Sequence, residues 1–271
     1  MEESNKEEVK QMAEENTNSQ QLIDDTYATI VKEYKTSKML PWRVFVETPS
    51  FMKLVGQLTN EDIIDLACGE GFYTRKMQEL TTGKVFGFDY CENFIKMAKW
   101  QLNGKGHIEY MHVDCSLPIV DIPQQFDLVT PTFLLQNAVN EERFEQMVKN
   151  IWNLCKPGGR VCGLNASPFL TRENFNKAAD YCVTFSTDSD SYFEKNATEY
   201  AVTYTDLNIT LVLYWYSPSH YEKTFEKLGF KNFRWIELEP FADADSYEYW
   251  KTFSTDNFMI MYEAIKPSDL N

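Results

Sequence analysis

The sequence predicts an α/β fold whose core is a mostly parallel β-sheet, and three observations support this prediction. Between residues 62 and 164, short apolar runs alternate with longer amphipathic segments, as in consecutive βαβ units. A glycine-rich turn follows the first apolar run, where α/β proteins commonly bind ligands. After residue 166 the alternation stops, and two apolar runs flank a short polar turn, which predicts an antiparallel hairpin.

The chain ahead of the predicted sheet divides into a polar tail and a helical segment. Residues 1–20 are rich in Glu, Asn, Gln and Lys and are predicted to be disordered. Apolar residues then recur at helical spacing over 22–34, and a second helix is predicted from about Thr48 to Gly56. Residues 21–56 are therefore predicted to form an N-terminal helical lid beside the sheet domain.

Five strands and three helices are predicted from the alternation between residues 62 and 164. The apolar runs have the length of buried strands, and the intervening segments have the length and spacing of helices. Lys156-Pro157-Gly158-Gly159 is predicted to be the turn that ends the last of these helices. The predicted strands are 62–67, 84–88, 107–113, 126–130 and 160–164, and the predicted helices are 72–80, 91–102 and 141–155.

The C-terminal third is predicted to interrupt the sheet domain and then to complete it. The hairpin is predicted at 200–204 and 209–216, because both runs are rich in aromatic and β-branched residues. Residues 57–267 are therefore predicted to form one domain, with a hairpin-bearing cap inserted at about 167–232. The remaining predicted elements are helices 172–182 and 218–228 and closing strands 233–238 and 257–265.

The composition limits the partners that this protein can bind. The 271 residues include 41 acidic and 26 basic side chains, so the formal net charge is −15. Because the basic residues are scattered singly, the chain lacks the basic patch that phosphate backbones require, and no nucleic acid partner is predicted. The acidity serves either solubility alone or a site that favours neutral or cationic ligands. The pattern gives no indication of oligomeric state.

The cysteines and the hydropathy pattern predict a cytoplasmic protein without a structural metal. The six cysteines include no C-x-x-C pair and follow no zinc-binding spacing, so free thiols in a reducing compartment are expected. The polar, acidic beginning of the chain is unlike a signal peptide. No apolar run approaches the roughly 18 residues that span a membrane, so no membrane partner is predicted.

The glycine-rich turn is the strongest functional motif of the sequence. Gly69 and Gly71 lie between the first predicted strand and the following helix, where the backbone can approach a ligand closely. The third glycine of a dinucleotide-binding motif is missing, which argues against an NAD-dependent oxidoreductase. Asp65 precedes Gly69 by four residues and would attract a positively charged amino acid group but repel a pyrophosphate. The alternative interpretation is a strand-to-helix turn without a ligand.

Two further acids follow the next two predicted strands. Asp89 stands 24 residues after Asp65, where a carboxylate can accept hydrogen bonds from both ribose hydroxyls. Asp114 ends the third strand, where the amino group of an adenine would lie. Each acid alone resembles an ordinary solvated loop residue. Three acids at the ends of consecutive strands predict a single nucleoside-binding site.

These motifs resemble those of class I S-adenosylmethionine-dependent methyltransferases. The similarity extends from about residue 24 to 267, and it is closest to a small-molecule branch that includes toxoflavin synthase. In that branch, motifs similar to Ser37–Arg43 and Asp65–Arg75 occur in the same order. The other matching motifs are Phe88-Asp89-Tyr90, His112–Cys115, Phe126–Val129, Leu154–Gly159, Trp215–Pro218, Leu228-Gly229-Phe230 and Tyr249-Trp250.

The resemblance implies a Rossmann-like sheet with an antiparallel last strand and a site for S-adenosylmethionine, which reacts to S-adenosylhomocysteine. The glycines would pass beneath the methionine part, and Tyr34 and Arg43 would cover the cofactor, with Arg43 pairing with its carboxylate. The residues implied to bind the cofactor are Tyr34, Arg43, Asp65, Ala67, Cys68, Gly69, Gly71, Asp89, Tyr90, Asp114, Cys115 and Thr132.

The acceptor is expected to be a small molecule held by aromatic and amide side chains, although the same aromatics also suit a core. Leu134-Leu135-Gln136-Asn137-Ala138 lacks the aromatic or imidazole side chain that relatives often carry at this place. None of the three histidines stands out as a general base, and this favours N-methylation. Two alternatives stay open: O-methylation of a small aromatic acceptor, and a non-catalytic protein that only binds the cofactor. The candidate acceptor residues are Trp42, Phe133, Gln136, Asn137, Tyr214, Tyr216 and Trp250.

Overall fold

A computed structural model describes residues 30–268, except 105, 121, 123, 189–193 and 242–245. The predicted tail at 1–20 and the first part of the helix predicted at 22–34 lie outside the described residues. None of the helices within the described residues combines the length and the hydropathy needed to cross a membrane.

The core is a mixed sheet of seven strands within the described residues, in the order β3-β2-β1-β4-β5-β10-β9. The strands β1 to β5 pair in parallel, whereas β10 runs antiparallel to both of its neighbours. This arrangement confirms the predicted sheet with its antiparallel last strand. The strands are β1 (Ile63–Leu66), β2 (Val85–Asp89), β3 (Ile108–His112), β4 (Phe126–Pro131), β5 (Cys155–Ala166), β9 (Lys231–Ile236) and β10 (Met259–Ile265).

The strand register places the candidate ligand-binding residues along one edge of the sheet. Leu66 at the end of β1 pairs with Phe88, and Asp89 at the end of β2 pairs with His112. The chain order reverses at β1, which lies between β2 and β4, and ligands of α/β sheets bind in the crevice at such a reversal. The glycine turn after β1 therefore faces the ends of β2 and β3.

Helices cover both faces of the sheet, and their ends follow the capping residues of the sequence. Asn140 accepts a hydrogen bond from Arg143 N, and Ser217 accepts one from His220 N, so both caps satisfy free backbone donors. The α-helices are α1 (Val31–Ser37), α2 (Thr48–Val55), α3 (Phe72–Gln78), α4 (Glu92–Leu102), α5 (Glu141–Leu154), α6 (Arg172–Lys177), α7 (Pro218–Leu228) and α8 (Tyr247–Thr255).

The N-terminal segment differs from the prediction between its two helices. A π-helical turn over Arg43–Glu47 leads directly into α2, so helical backbone begins well before the predicted start near Thr48. Pro41 is compatible with this path because a proline is tolerated in the first turn of a helix. The continuous helical path brings Arg43 and Glu47 onto the same face.

A second, three-stranded antiparallel sheet follows β5 and is separate from the core sheet. It consists of β6 (Val183–Ser186), β7 (Thr198–Tyr204) and β8 (Ile209–Trp215), in that order. The predicted hairpin is confirmed as β7 and β8, whereas β6 was not predicted because its run of four residues is too short to indicate a strand. The helix predicted at 172–182 is α6 followed by a 3₁₀ turn at Ala178–Tyr181.

One predicted turn was wrong, and one helix was missed. The strand expected at 160–164 already begins at Cys155, so Lys156–Gly159 belongs to β5 rather than to a separate turn. The register of β5 against β4 shifts at this point, and the irregularity accommodates the proline and the glycines. Helix α8 was not predicted at all, because its tyrosines, Trp250 and Phe253 favour strands in a purely local interpretation.

Candidate functional site

The turn after β1 has a backbone that few sequences adopt. Ala67, Gly69 and Gly71 all have positive φ angles, of 61°, 55° and 81°. A Cβ atom on Gly71 would lie 2.2 Å from the Tyr110 hydroxyl, so only glycine lets helix α3 begin this close to β3. The turn therefore exposes backbone amides at the carboxyl edge of the sheet.

Asp65 supports this turn from below. It is fully buried and accepts hydrogen bonds from the hydroxyls of Thr74 at 2.6 Å, Thr130 at 3.2 Å and Thr132 at 3.3 Å. Burial raises the pKa of Asp65 to about 7, although the three hydroxyls favour the ionised form. Asp65 thus joins β1, β4 and α3 at the base of the site.

Asp89 links the ends of the first two strands. One carboxylate oxygen accepts a hydrogen bond from Gly69 N and the other from Cys91 N, both at 2.8 Å. Burial raises the pKa of Asp89 to about 6, and the two backbone donors oppose this rise. The carboxylate is thereby fixed in place, and each oxygen keeps a lone pair for a further donor.

These residues line a cavity with about 840 Å³ of empty space, including the part that is open to solvent, and we call it the glycine-loop cavity. Asp114 is part of its wall, and one of its carboxylate oxygens accepts a hydrogen bond from Ser116 N at 2.8 Å. The wall is formed by Tyr34, Lys38, Ala67, Cys68, Gly69, Phe72, Tyr73, Asp89, Tyr90, Phe94, Val113, Asp114, Cys115, Ser116, Thr132, Phe133, Leu134, Asn137 and Met147.

Lys38 is a buried cation in the wall of the glycine-loop cavity. Its ammonium nitrogen lies 4.6 Å from the centre of the Tyr34 ring and 5.8 Å from those of Phe72 and Tyr73. It forms no ion pair with any residue that the structure describes. Burial is the main reason why the pKa of Lys38 falls to about 7, and the nearby Arg43 cation lowers it further.

Arg43 already has a carboxylate partner within the chain. Its Nη1 atom donates to both carboxylate oxygens of Glu47, at 2.6 and 2.8 Å, and its Nη2 donates to the Tyr204 hydroxyl at 3.1 Å. The Tyr73 hydroxyl also donates to Glu47, at 2.5 Å. This buried network raises the pKa of Arg43, so the guanidinium remains charged.

A second cavity, with about 580 Å³ of empty space including the part that is open to solvent, shares Tyr34 and Phe133 with the first, and we call it the aromatic cavity. The wall combines the N-terminal segment, the three-stranded sheet and the end of α8. Tyr34 and Phe133 line both cavities, so they stand at the boundary between them. The other residues that line the aromatic cavity are Trp42, Arg43, Gln136, Ala166, Ala178, Tyr181, Val183, Phe185, Val202, Tyr204, Leu211, Leu213, Phe253, Phe258 and Met259.

Most of the residues predicted to bind the cofactor line the glycine-loop cavity, and three do not. Asp65 and Gly71 lie behind the wall, where they shape the turn. Arg43 lines the aromatic cavity instead, because Glu47 and Tyr204 hold its guanidinium there. The nine that do line the glycine-loop cavity are Tyr34, Ala67, Cys68, Gly69, Asp89, Tyr90, Asp114, Cys115 and Thr132.

The predicted acceptor residues are divided between the two cavities and the core. Trp42, Phe133 and Gln136 line the aromatic cavity, whereas Asn137 lines the glycine-loop cavity. Tyr214, Tyr216 and Trp250 are in neither wall, so their contribution to the acceptor site stays a prediction.

Each of these three residues packs outside the two walls for an identifiable reason. Side chains alternate along β8, so Leu211 and Leu213 face the cavity while Tyr214 points to the other face and donates to Glu199 at 3.0 Å. The Tyr216 hydroxyl donates to Ala138 O at 2.9 Å. Trp250 packs on Phe45, with 5.5 Å between the ring centres.

Comparison with known proteins gives the class of this core. Residues 63–159 match the family model described as a methyltransferase domain. Residues 63–159 form a methyltransferase domain. The chain is also 36% identical to the demethylmenaquinone methyltransferase of Lactococcus lactis over 121 residues, which cover 43% of this chain and 46% of that protein. The match therefore spans about half the length of that relative.

Solved structures show that the methyltransferase domain and its extensions share one fold with S-adenosylmethionine-dependent methyltransferases. A methyltransferase from Mesorhizobium loti superposes with a TM-score of 0.59 at 17% identity, over 81% of this chain and 97% of that one. The N-methyltransferase NodS from Bradyrhizobium japonicum, in complex with S-adenosylhomocysteine, superposes with a TM-score of 0.57 at 11% identity, over 92% and 99%.

The methyltransferase domain supplies only part of both cavities. The sequence analysis did not identify Lys38 as a site residue, although Lys38 lies within the motif Ser37–Arg43. A lysine in a polar segment is usually exposed. The wall residues on β6, β7 and α8 were missed as well. The alternation of Val202 and Tyr204 along β7 was the one signal that pointed to them.

Proposed function

We propose that this protein is an S-adenosylmethionine-dependent methyltransferase that acts on a small molecule bound in the aromatic cavity. The observation that carries the proposal is the shared wall of the two cavities, formed by Tyr34 and Phe133. A cofactor in one cavity and an acceptor in the other would meet at this boundary, which is the alignment that an in-line transfer requires.

The residues of the glycine-loop cavity suit S-adenosylmethionine. The Gly69 backbone is open, because a Cβ atom there would have the Tyr34 ring at 3.9 Å as its nearest contact. We assign the ribose hydroxyls to Asp89, whose carboxylate is already oriented by two backbone amides. We assign the adenine end to Asp114, Cys115 and Ser116, which line the same cavity after β3.

We assign the cofactor carboxylate to Lys38 rather than to Arg43. Lys38 lines the glycine-loop cavity without an ion pair among the described residues, whereas both oxygens of Glu47 already pair with Arg43. A buried cation without a counter-ion is costly, and a ligand carboxylate would provide one. Tyr34 packs its ring between this lysine and Gly69 and so covers the methionine part.

We propose nitrogen as the methylated atom. Among the described residues that line the aromatic cavity there is no aspartate, glutamate or histidine, so no general base faces the acceptor. When bound, the cofactor supplies a methyl group on a sulfonium; nitrogen donates its electron pair to the methyl carbon, the C–S bond breaks, and the nitrogen proton passes to solvent. The aromatic wall orients a flat acceptor and excludes water.

Carbon methylation of a quinol-like ring is the second candidate. The named relative acts on demethylmenaquinone, and the mostly aliphatic and aromatic wall of the aromatic cavity suits a flat ring. The toxoflavin synthase-like branch proposed from the N-terminal and motif I sequences is compatible with either outcome. O-methylation is less favoured, because a phenol requires a base that the described wall does not contain.

A transfer assay tests this function. Methyl-labelled S-adenosylmethionine is incubated with the protein and a panel of small aromatic amines, N-heterocycles, quinols and phenols, and Asp89→Ala serves as the matched control. We expect labelled product from wild type and a strongly reduced yield from the variant. The position of the label, determined by NMR, separates nitrogen from carbon and oxygen. Cofactor binding without transfer to any acceptor would support a non-catalytic protein instead.

A further inference from the structure

Hydrogen-bond donors without partners lie in the wall of the aromatic cavity. Trp42 Nε1 and Arg43 Nε are both buried, and neither has a hydrogen-bond partner among the described residues. Both side chains form part of the wall. Buried N–H groups are nearly always paired in folded proteins, so two such donors at one cavity indicate that a ligand completes them.

Two more polar groups of this wall are also arranged as donors. Gln136 Oε1 accepts a hydrogen bond from Ala166 N at 2.7 Å, which fixes the orientation of the amide, and Nε2 has no partner in the part of the chain that the structure describes. The Tyr204 hydroxyl accepts from Arg43 Nη2 at 3.1 Å and keeps its own hydrogen for donation. Trp42, Arg43 and Gln136 thus each bring to the wall of this one cavity an N–H donor without a partner among the described residues.

The charge of this region determines which acceptor group these donors suit. Arg43 and Glu47 form a buried ion pair, so the cation is balanced within the chain. A ligand with a full, localised charge would be buried without a counter-ion of its own, whereas a conjugated oxygen needs only hydrogen bonds. The rest of the wall is aliphatic or aromatic and favours a flat ring.

We propose that the aromatic cavity selects flat acceptors that carry a conjugated ring oxygen, and that Trp42 Nε1, Arg43 Nε and Gln136 Nε2 receive this oxygen. The proposal rests on the proposed function and adds the chemical class of the acceptor. Donors on the oxygen also stabilise negative charge that is delocalised onto it when the ring loses a proton. This role supports methylation at a conjugated ring nitrogen or carbon without a carboxylate or histidine in the wall.

Two probes that differ at one ring position test this inference. 4-Quinolone presents a ring oxygen where 4-aminoquinoline presents a donor amine on a cationic ring. We measure the affinity of both for the full chain by calorimetry, with and without saturating S-adenosylhomocysteine. We expect 4-quinolone to bind at least about tenfold more tightly, because the amine would place donors against donors. Equal affinity, a preference for the amine, or no binding of 4-quinolone at its solubility limit would overturn the inference.

Two variants assign the effect to the wall. Trp42→Phe removes the indole N–H and keeps a ring against Phe253, whose centre lies 6.0 Å away. We expect a loss of about three- to tenfold in 4-quinolone affinity and no loss for 4-aminoquinoline. Gln136→Glu keeps the acceptor for Ala166 N but replaces the donor with an oxygen, so the preference between the probes should shift towards the amine.

The control is Trp235→Phe, which removes an indole N–H that donates to Glu222 outside both cavities. We expect it to leave both probe affinities unchanged, and unfolding curves for each variant report whether the fold is intact. If Trp42→Phe and Trp235→Phe behave alike, the donor assignment is wrong. The affinity for S-adenosylhomocysteine is measured on the same samples. If the protein does not bind S-adenosylhomocysteine, the proposed function is wrong. If it binds S-adenosylhomocysteine but has equal affinities for the two probes, only this inference is wrong.

Discussion

The two cavities of this protein are built in different ways. The glycine-loop cavity is formed mainly by consecutive strand ends, so Gly69, Asp89 and Asp114 follow one another at regular points of the chain. The aromatic cavity is assembled from segments that lie far apart in sequence, from Trp42 to Met259. The comparison teaches that most of a site at the edge of a parallel sheet can be located from sequence, whereas only a few residues of a site between a sheet and its extensions can be.

The largest effect is expected in the glycine-loop cavity from Asp89→Ala. The change removes two hydrogen bonds to an ionised acceptor, so S-adenosylhomocysteine binding should weaken by about 2–4 kcal/mol in calorimetry. Glu92→Ala is the matched control, since this nearby carboxylate is exposed and pairs only with Lys96 among the described residues. Equal affinities for the two variants would show that Asp89 does not contact the ribose.

The next effect concerns the assignment of Lys38. Lys38→Met should weaken S-adenosylhomocysteine binding by about 1.5–3 kcal/mol, because a charge-assisted hydrogen bond to the carboxylate is lost. 5′-Methylthioadenosine lacks the amino acid part, so its affinity should not change. Lys32→Met, on the exposed face of α1, is the control. A parallel loss for both ligands would indicate that Lys38 acts only through packing on Tyr34.

A smaller effect is expected in the pH dependence of stability through Asp65. Its pKa in the folded chain is about 7, above the value of 3.8 expected for the unfolded chain, so the folded state binds more protons between these values. The contribution of Asp65 to the free energy of unfolding should therefore fall as the pH rises from about 4 to 7, by up to roughly 1.4 kcal/mol per pH unit. Above about pH 7 this contribution should stay constant.

Urea unfolding at several pH values measures this trend, and Asp65→Asn provides the comparison. The variant cannot ionise, so its stability should decrease less between pH 4 and 7 than that of wild type. Identical slopes for both proteins would mean that the burial of Asp65 is relieved in solution.

The smallest effect on ligand binding is expected outside both cavities. Tyr216→Phe removes the hydrogen bond to Ala138 O, so the free energy of unfolding should decrease by about 1 kcal/mol. The affinity for 4-quinolone should not change, because Tyr216 lines neither cavity. A clear loss of probe affinity would return Tyr216 to the acceptor site and break the contrast between the two regions.

The sequence determined the succession of the core strands along the chain and the position of the glycine turn. Parallel strands with intervening helices place all carboxyl ends at one edge, so Asp89 and Asp114 had to lie near Gly69. The starts of the helices predicted at 141 and 218 were also determined locally, because the caps that the structure shows there depend on side chains within one turn. These predictions needed no knowledge of long-range contacts.

Tertiary structure decided what the remaining polar and aromatic residues do. Arg43 faces Glu47 because helical backbone already covers Arg43–Glu47, whereas the sequence pattern predicted that the helix begins only near Thr48. Lys38 is buried because α1 packs against Phe72 and Tyr73, which stand over thirty residues further along the chain. Because side chains alternate between the two faces of β8, Leu213 lines the aromatic cavity and Tyr214 does not. Side-chain direction and packing depend on contacts between distant segments, and these contacts exist only once the chain has folded.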